Sequence, residues 1–244
     1  MKPSWAMLPL LTLASGCHDF AALSTGYGAL GDLGTTDLAR SDAAPPADLG
    51  SPADLTPGVT GHLSGSGAAT LALVDLTQEG TIDWAHYGYP VGGDKDYKAN
   101  ITSQISYYKT LSGNTATGYS NNPSSFAWED GVLTTTEAGT STGMWRQGVA
   151  DGFQLTVTAS TTPRTLLVYV GGYRSNGKLT ASLSDQSAPD YGDASFSRSD
   201  TNLYSVTYTL TFNAAQDGQK LTVTWAAASV TLDGNVSLAA AALR

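Results

Sequence analysis

From about Gly61 onward the chain alternates between apolar and hydroxylated residues. Gln154-Leu155-Thr156-Val157-Thr158 and Lys220-Leu221-Thr222-Val223-Thr224-Trp225 place an apolar side chain at every second position. The longest such run is Tyr204-Ser205-Val206-Thr207-Tyr208-Thr209-Leu210-Thr211-Phe212. A period of two with Ser and Thr on the opposite face marks strands buried on one side, the habit of antiparallel sheets. The pattern predicts strands over 69–76, 152–159, 165–171, 178–184, 204–214, 221–227 and 236–243. Turn chemistry lies between them at Ser175-Asn176-Gly177, Gln216-Asp217-Gly218 and Asp233-Gly234-Asn235. No stretch shows a convincing helical period, which argues against parallel β-α-β units. The expected fold class is all-β, an antiparallel two-sheet β-sandwich of jelly-roll-like form over residues 61–244. Its length is ample for a two-sheet core.

If every turn reverses the chain, strand parity places the loops. Counting back from the last strand, the turn at 233–235 shares an end with 161–164 and with the long segment 185–203. If the first strand pairs with the last, the segment 77–93 lies at that end too. A crossover would break the count. Long loops on a rigid sandwich are where function concentrates.

The first sixty residues have a different pattern. Lys2 is followed by an apolar stretch from Trp5 to Ala14, then Ser15-Gly16-Cys17. That order reads as a secretory signal over 1–16. Small residues ending in Cys17, the one cysteine of the chain, resemble the bacterial lipobox, so Cys17 is expected to be lipidated. The alternative is an ordinary signal with a free cysteine. The apolar stretch is too short to stay as a spanning helix. Residues 17–60 read as an acidic, disordered tether. Pro46-Ala47-Asp48-Leu49 recurs as Pro52-Ala53-Asp54-Leu55, aromatic content is low, and six aspartates stand against Arg40. The rival for that stretch, a small helix striped with Leu30, Leu33 and Leu38, is interrupted by Gly31, Gly34 and prolines.

Charge then narrows the partners. A net charge of −9 argues against nucleic acid, which needs clustered Lys and Arg. It also leaves the lipid as the expected means of membrane attachment. With His18 rather than Asp after the cysteine, the expected destination is the outer membrane.

Candidate chemistry is densest in Gly80-Thr81-Ile82-Asp83-Trp84-Ala85-His86-Tyr87-Gly88. Flat rings beside hydrogen-bonding groups suit a sugar, whose C–H face stacks while its hydroxyls are bonded. Trp84 is expected to plug one end of the sandwich. Tyr87 and Tyr89 are the better candidates for an exposed platform, and His86 reads as a hydrogen-bonded histidine rather than a metal ligand or base. Trp128, leading into Asp130-Gly131, reads as core. Trp145 reads equally as core or ligand contact. Asp185, Asp190, Asp193 and Asp200 in a Gly- and Ser-rich loop could coordinate a structural Ca²⁺, although their spacing matches no standard loop, and turn formation explains them as well. Catalytic motifs are missing: three histidines, no Gly-x-Ser-x-Gly and no His-Glu-x-x-His. Glu79, Glu129 and Glu137 could in principle pair as glycosidase carboxylates.

Several stretches together resemble a module of secreted bacterial proteins. They are 75–88, Phe126-Ala127-Trp128-Glu129-Asp130-Gly131, 164–171, 179–185 and 235–241. The module is similar in layout to galactose-binding-like sandwiches, which often serve as carbohydrate-binding modules, and it implies no catalytic residues. The resulting expectation is a lipid-anchored envelope protein whose sandwich recognises carbohydrate or a similar polar surface ligand without catalysis. Tyr87, Tyr89 and Tyr191 would stack, and Asp83, His86 and Asp190 would bond hydroxyls. No cofactor is expected apart from the structural Ca²⁺ option. The alternatives are a structural, adhesion or protein-interaction module without a small-molecule site, and a glycan-active hydrolase.

Overall fold

A computed structural model describes residues 60–70, 72–89 and 95–244. The signal, Cys17 and nearly all of the tether lie outside the described residues. The described chain is nearly all β, in two sheets, the larger antiparallel.

Two very long strands organise it: β11 (Arg164–Leu183) and β14 (Gln219–Leu243). They pair antiparallel along almost their whole length, with irregularities between Tyr173 and Ser175 and between Asn176 and Gly177. These irregularities switch the parity of β11. Val168 and Val170 before them, and Leu179, Ala181 and Leu183 after them, all enter the same core. The sheet therefore folds over on itself and packs its two halves face to face. Trp225 shows the closure directly, since its indole N–H donates to the Gly171 carbonyl of the other half at 3.0 Å.

The upper half joins the start of β11 and the end of β14 to β13 (Leu203–Asn213) and β1 (His62–Ala69) on one side. On the other side it meets β3 (Asp83–Tyr87) and β9 (Gly143–Gln147). The strands β4 (Lys95–Tyr97) and β6 (Thr117–Tyr119) add beyond these. The lower half joins the remaining parts of β11 and β14 to β10 (Gly152–Ala159), β5 (Lys109–Thr110) and β12 (Tyr191–Asp193). A small second sheet of β2 (Leu73–Asp75), β7 (Ser125–Trp128) and β8 (Glu137–Thr140) covers part of the outer face of the upper half. Leu167, Tyr169, Ala240 and Ala242 meet Val74, Phe126, Trp84 and Trp128 there in a second core. The small side chains of Ala239, Ala240 and Ala242 let this third layer approach closely.

The strand expectations over 152–159 and 204–214 match β10 and β13. The Gln216-Asp217-Gly218 turn is real and carries the chain from upper to lower half. The other two expected turns are corrected: 175–177 and 233–235 lie inside β11 and β14, where the sheet bends instead of reversing. The first expected strand, 69–76, is also replaced. It straddles the end of β1, the short β2 and a helical turn α1 (Leu76–Glu79) that Asp75 caps through the Gln78 N–H. Alternation misses β1 because its inward positions include glycine. A Cβ on Gly67 would lie 2.5 Å from the Phe196 ring.

Candidate functional site

The residues expected to form a platform are not brought together. Asp83, His86 and Tyr87 all lie on β3 with no exposed surface. Tyr87 donates its hydroxyl to the Ser106 carbonyl at 3.0 Å and belongs to the main core. Burial first, then Asp83 and its tyrosine neighbours, push its pKa up. Asp83 accepts from the Gln104 and Ile105 N–H groups at 2.6 and 2.9 Å, bracing that loop. Tyr89 is half-buried against Trp128 and donates to Glu137 at 2.6 Å. Tyr191 lies on β12 over Gly65, with Asp190 exposed beside it. Since β3 pairs outside β14 and β12 outside β11, the two groups sit on opposite flanks. The parity argument fails because it counted two bends as reversals.

His86 also departs from expectation. Neither ring nitrogen makes a hydrogen bond among the described residues. The ring is caged by Phe126, Trp128 and Tyr89, with centroids 5.3 to 6.2 Å away. Burial lowers its pKa to about 3, opposed by the Thr142 backbone, which forms no bond of normal geometry. Trp84 is buried as expected, although beneath the small sheet and not at an end. Its indole donates to Asp130 at 2.8 Å. Trp128 is likewise core and donates to the Thr134 carbonyl at 2.7 Å.

The pocket best suited to a ligand lies elsewhere, and the sheet register builds it. Trp145 of β9 stands opposite Thr117 of β6 and Ser237 of β14, and Ser237 stands opposite Gly171 of β11. One step along, Asn235 stands opposite Tyr173, and Tyr173 opposite Leu203. Side chains alternate along a strand, so Tyr173 shares the outer face with Leu167 and Tyr169. The small sheet covers that face at Leu167 and Tyr169 but not at Tyr173. The uncovered stretch is a cavity of about 420 Å³ walled by Tyr119, Trp145 and Tyr173, with Asn121, Asn202 and Asn235 among its polar groups. Gly143 makes room for one wall, since a Cβ there would meet the Tyr119 ring at 2.6 Å.

Several polar groups of this pocket remain unspent. Among the described residues, the side chains of Asn121, Asn235, Trp145 and Tyr173 make no intramolecular hydrogen bond. Asn202 uses its amide N–H on Asp200 at 3.0 Å. Burial pushes the Tyr119 hydroxyl up to about 12, against the nearby Ser237 hydroxyl, so it stays protonated and can donate. Its ring is half-buried by exposed area, which keeps the wall open to solvent. Among the described residues, no carboxylate, histidine or cysteine lines the cavity. The arrangement can stack a ring and bond several hydroxyls. The sequence pointed to Trp145 as core or ligand contact but did not single out Tyr173, which stands just before the expected turn at Ser175-Asn176-Gly177. Reading Leu167, Tyr169, Gly171 and Tyr173 as one alternation would have aligned it with its face.

Three of the four loop aspartates are occupied locally, and Asp190 is exposed. Asp185 accepts from Ser187 and the Ala215 N–H, Asp193 from Ser195 and the Tyr208 hydroxyl, and Asp200 from Asn202. Among the described residues, no group of three or more His, Cys, Asp or Glu could hold a metal ion. Glu79 pairs with Arg244 and Glu137 with Tyr89, and neither lines the pocket.

No protein-family model matches the chain, and no curated protein matches it. Among solved structures, it is similar to the enzymatically active domain of tailspike protein 4 of bacteriophage CBA120. The identity is 12%, over 58% of this chain and 20% of that one, with a TM-score of 0.36. The match spans a fifth of that chain's length, and a likeness this slight carries no argument about fold or function.

Proposed function

We propose that this is an envelope lipoprotein whose β module binds carbohydrate without catalysis, in the cavity between Tyr119, Trp145 and Tyr173. One observation carries the reading. On a single sheet face, three aromatic walls surround unspent amides exactly where the covering layer stops. Apolar rings with a few convergent polar groups are what a small polar ligand needs. The rings, amides and hydroxyls that line the cavity support binding of such a ligand. The resemblance of the stretches 75–88, 126–131, 164–171, 179–185 and 235–241 to a secreted module of galactose-binding-like layout supports the same reading, and no cofactor enters it.

A glycan array probed with the purified full chain tests this. Retention of a defined set of glycans supports the reading. Retention of none removes it and leaves a structural or adhesion role. Outer-membrane anchoring rests on Cys17 and is tested separately. The Cys17→Ser chain should lose incorporation of labelled fatty acid and leave the membrane fraction, whereas unchanged fractionation would refute lipidation.

A further inference from the structure

A second cleft, about 190 Å³, is built from chain segments that also wall the aromatic pocket. Its lining includes Arg174, Arg198, Asn176, Ser197, Ser199 and Ser229. The same two segments build both depressions: Tyr173 precedes Arg174, and Thr201 and Asn202 follow Ser199. The Arg174 guanidinium lies 5.0 Å over the ring of Tyr173, which walls the pocket. Arg174 also sits in the strand irregularity between Tyr173 and Ser175, with φ of 47°. A left-handed arginine is uncommon, and such strain clusters where a side chain must be aimed.

The hydrogen-bond inventory of the cleft is lopsided. A guanidinium has five donors. Among the described residues, the Arg174 side chain spends one on Asp233 at 2.8 Å, and Arg198 spends one on Asp200 at a long 3.4 Å. Both aspartates are more than half exposed, at 65% and 54%, so water screens and exchanges these pairs. The hydroxyls of Ser197, Ser199 and Ser229 make no intramolecular hydrogen bond among the described residues. This surplus of donors suits an acceptor-only anion, and the guanidinium fork suits a planar carboxylate. A neutral sugar has no charge for the arginines, whereas a sugar bearing a carboxylate presents a planar anion to them.

We infer that the glycan is acidic, with a ring in the aromatic pocket and the carboxylate of a sugar residue held between Arg174 and Arg198. The inference rests on the carbohydrate reading above and narrows it to uronic- or sialic-acid glycans. In a chain of net charge −9, such a ligand approaches against the overall field, so the arginines decide the preference.

The test is calorimetric titration of the full chain with carboxylated oligosaccharides of both kinds, each beside its methyl ester, which keeps the skeleton and removes the charge. The acid should bind about tenfold or more tighter than its ester. The Arg174→Gln/Arg198→Gln double variant should erase that ratio while its melting curve stays normal. Trp145→Ala should weaken acid and ester together. Equal binding of acid and ester overturns the inference and leaves the pocket reading standing. Acid binding that survives Trp145→Ala makes the cleft an independent anion site and overturns the joint arrangement. Binding of neither form overturns the acidic class, with the array judging the pocket by neutral glycans.

Discussion

The outer face of the upper sheet half carries two aromatic groups that differ in what happens to their polar atoms. At the covered end, Trp84 of β3 packs against Trp128 of the small sheet with rings 5.3 Å apart, and both indole N–H groups are bonded within the protein. At the uncovered end, Trp145 and Tyr173 stand on the same face and have no hydrogen-bond partner for their polar atoms among the described residues. The difference lies in the covering layer, since β11 and β14 run beneath both. An aromatic residue whose polar handle is spent internally serves the fold. One whose handle is left to solvent is free to serve a ligand.

That contrast can be broken most forcefully at the covered end. Trp84→Ala and Trp128→Ala should each cost about 3–5 kcal/mol in chemical denaturation, because each ring leaves a cavity between two layers. A loss below 1 kcal/mol would mean that the small sheet is not packed as described. Next comes Asp130, which accepts from Trp84 and Thr77 and pairs with Lys98 at 2.5 Å. Burial pushes its carboxyl up, but these bonds outweigh it and hold the pKa below the usual range. Asp130→Ala should cost about 1–3 kcal/mol by stranding the Trp84 N–H, read from the same denaturation curves.

His86 sharpens the contrast through pH. Its folded pKa is depressed to about 3 by burial, while an unfolded histidine titrates near 6.5. Below that value the unfolded chain takes up a proton that the folded chain refuses. Stability is therefore fully present above about pH 6.5 and falls toward pH 3, by about 1.4 kcal/mol per unit within the window. Carboxylates titrate mainly below about pH 5, so the slope between pH 5 and 6.5 reports His86. His86→Phe, which suits the aromatic cage, should flatten it. An unchanged slope would show that the ring is hydrated. The smallest expected effect is at the open end, where Trp145→Ala and Tyr173→Ala should each move stability by only about 0.5 kcal/mol.

Much of the fold was legible because alternation is a local signal. Leu155, Val157, Leu221 and Val223 declare their strands without help from the rest of the chain. The bends were illegible because Ser175-Asn176-Gly177 and Asp233-Gly234-Asn235 have turn chemistry, and whether the chain reverses or bends there depends on the partner strand. That single ambiguity moved the expected site. Counted as reversals, the bends gather Tyr87 and Tyr191; as bends, they gather Trp145, Tyr173 and Asn235. His86 was misread for a related reason. Its neighbours in space, Phe126 and Trp128, come from a layer whose placement no local pattern announces.

The central claim is that the uncovered end of this face is the ligand site. The most direct measurement probes one glycan array with the wild-type chain and with the Trp145→Ala/Tyr173→Ala double variant, after confirming that their melting temperatures agree within a few degrees. The account predicts that glycans retained by the wild type are lost from a variant that is still folded. Retention of the same glycans at the same strength by that variant would contradict it.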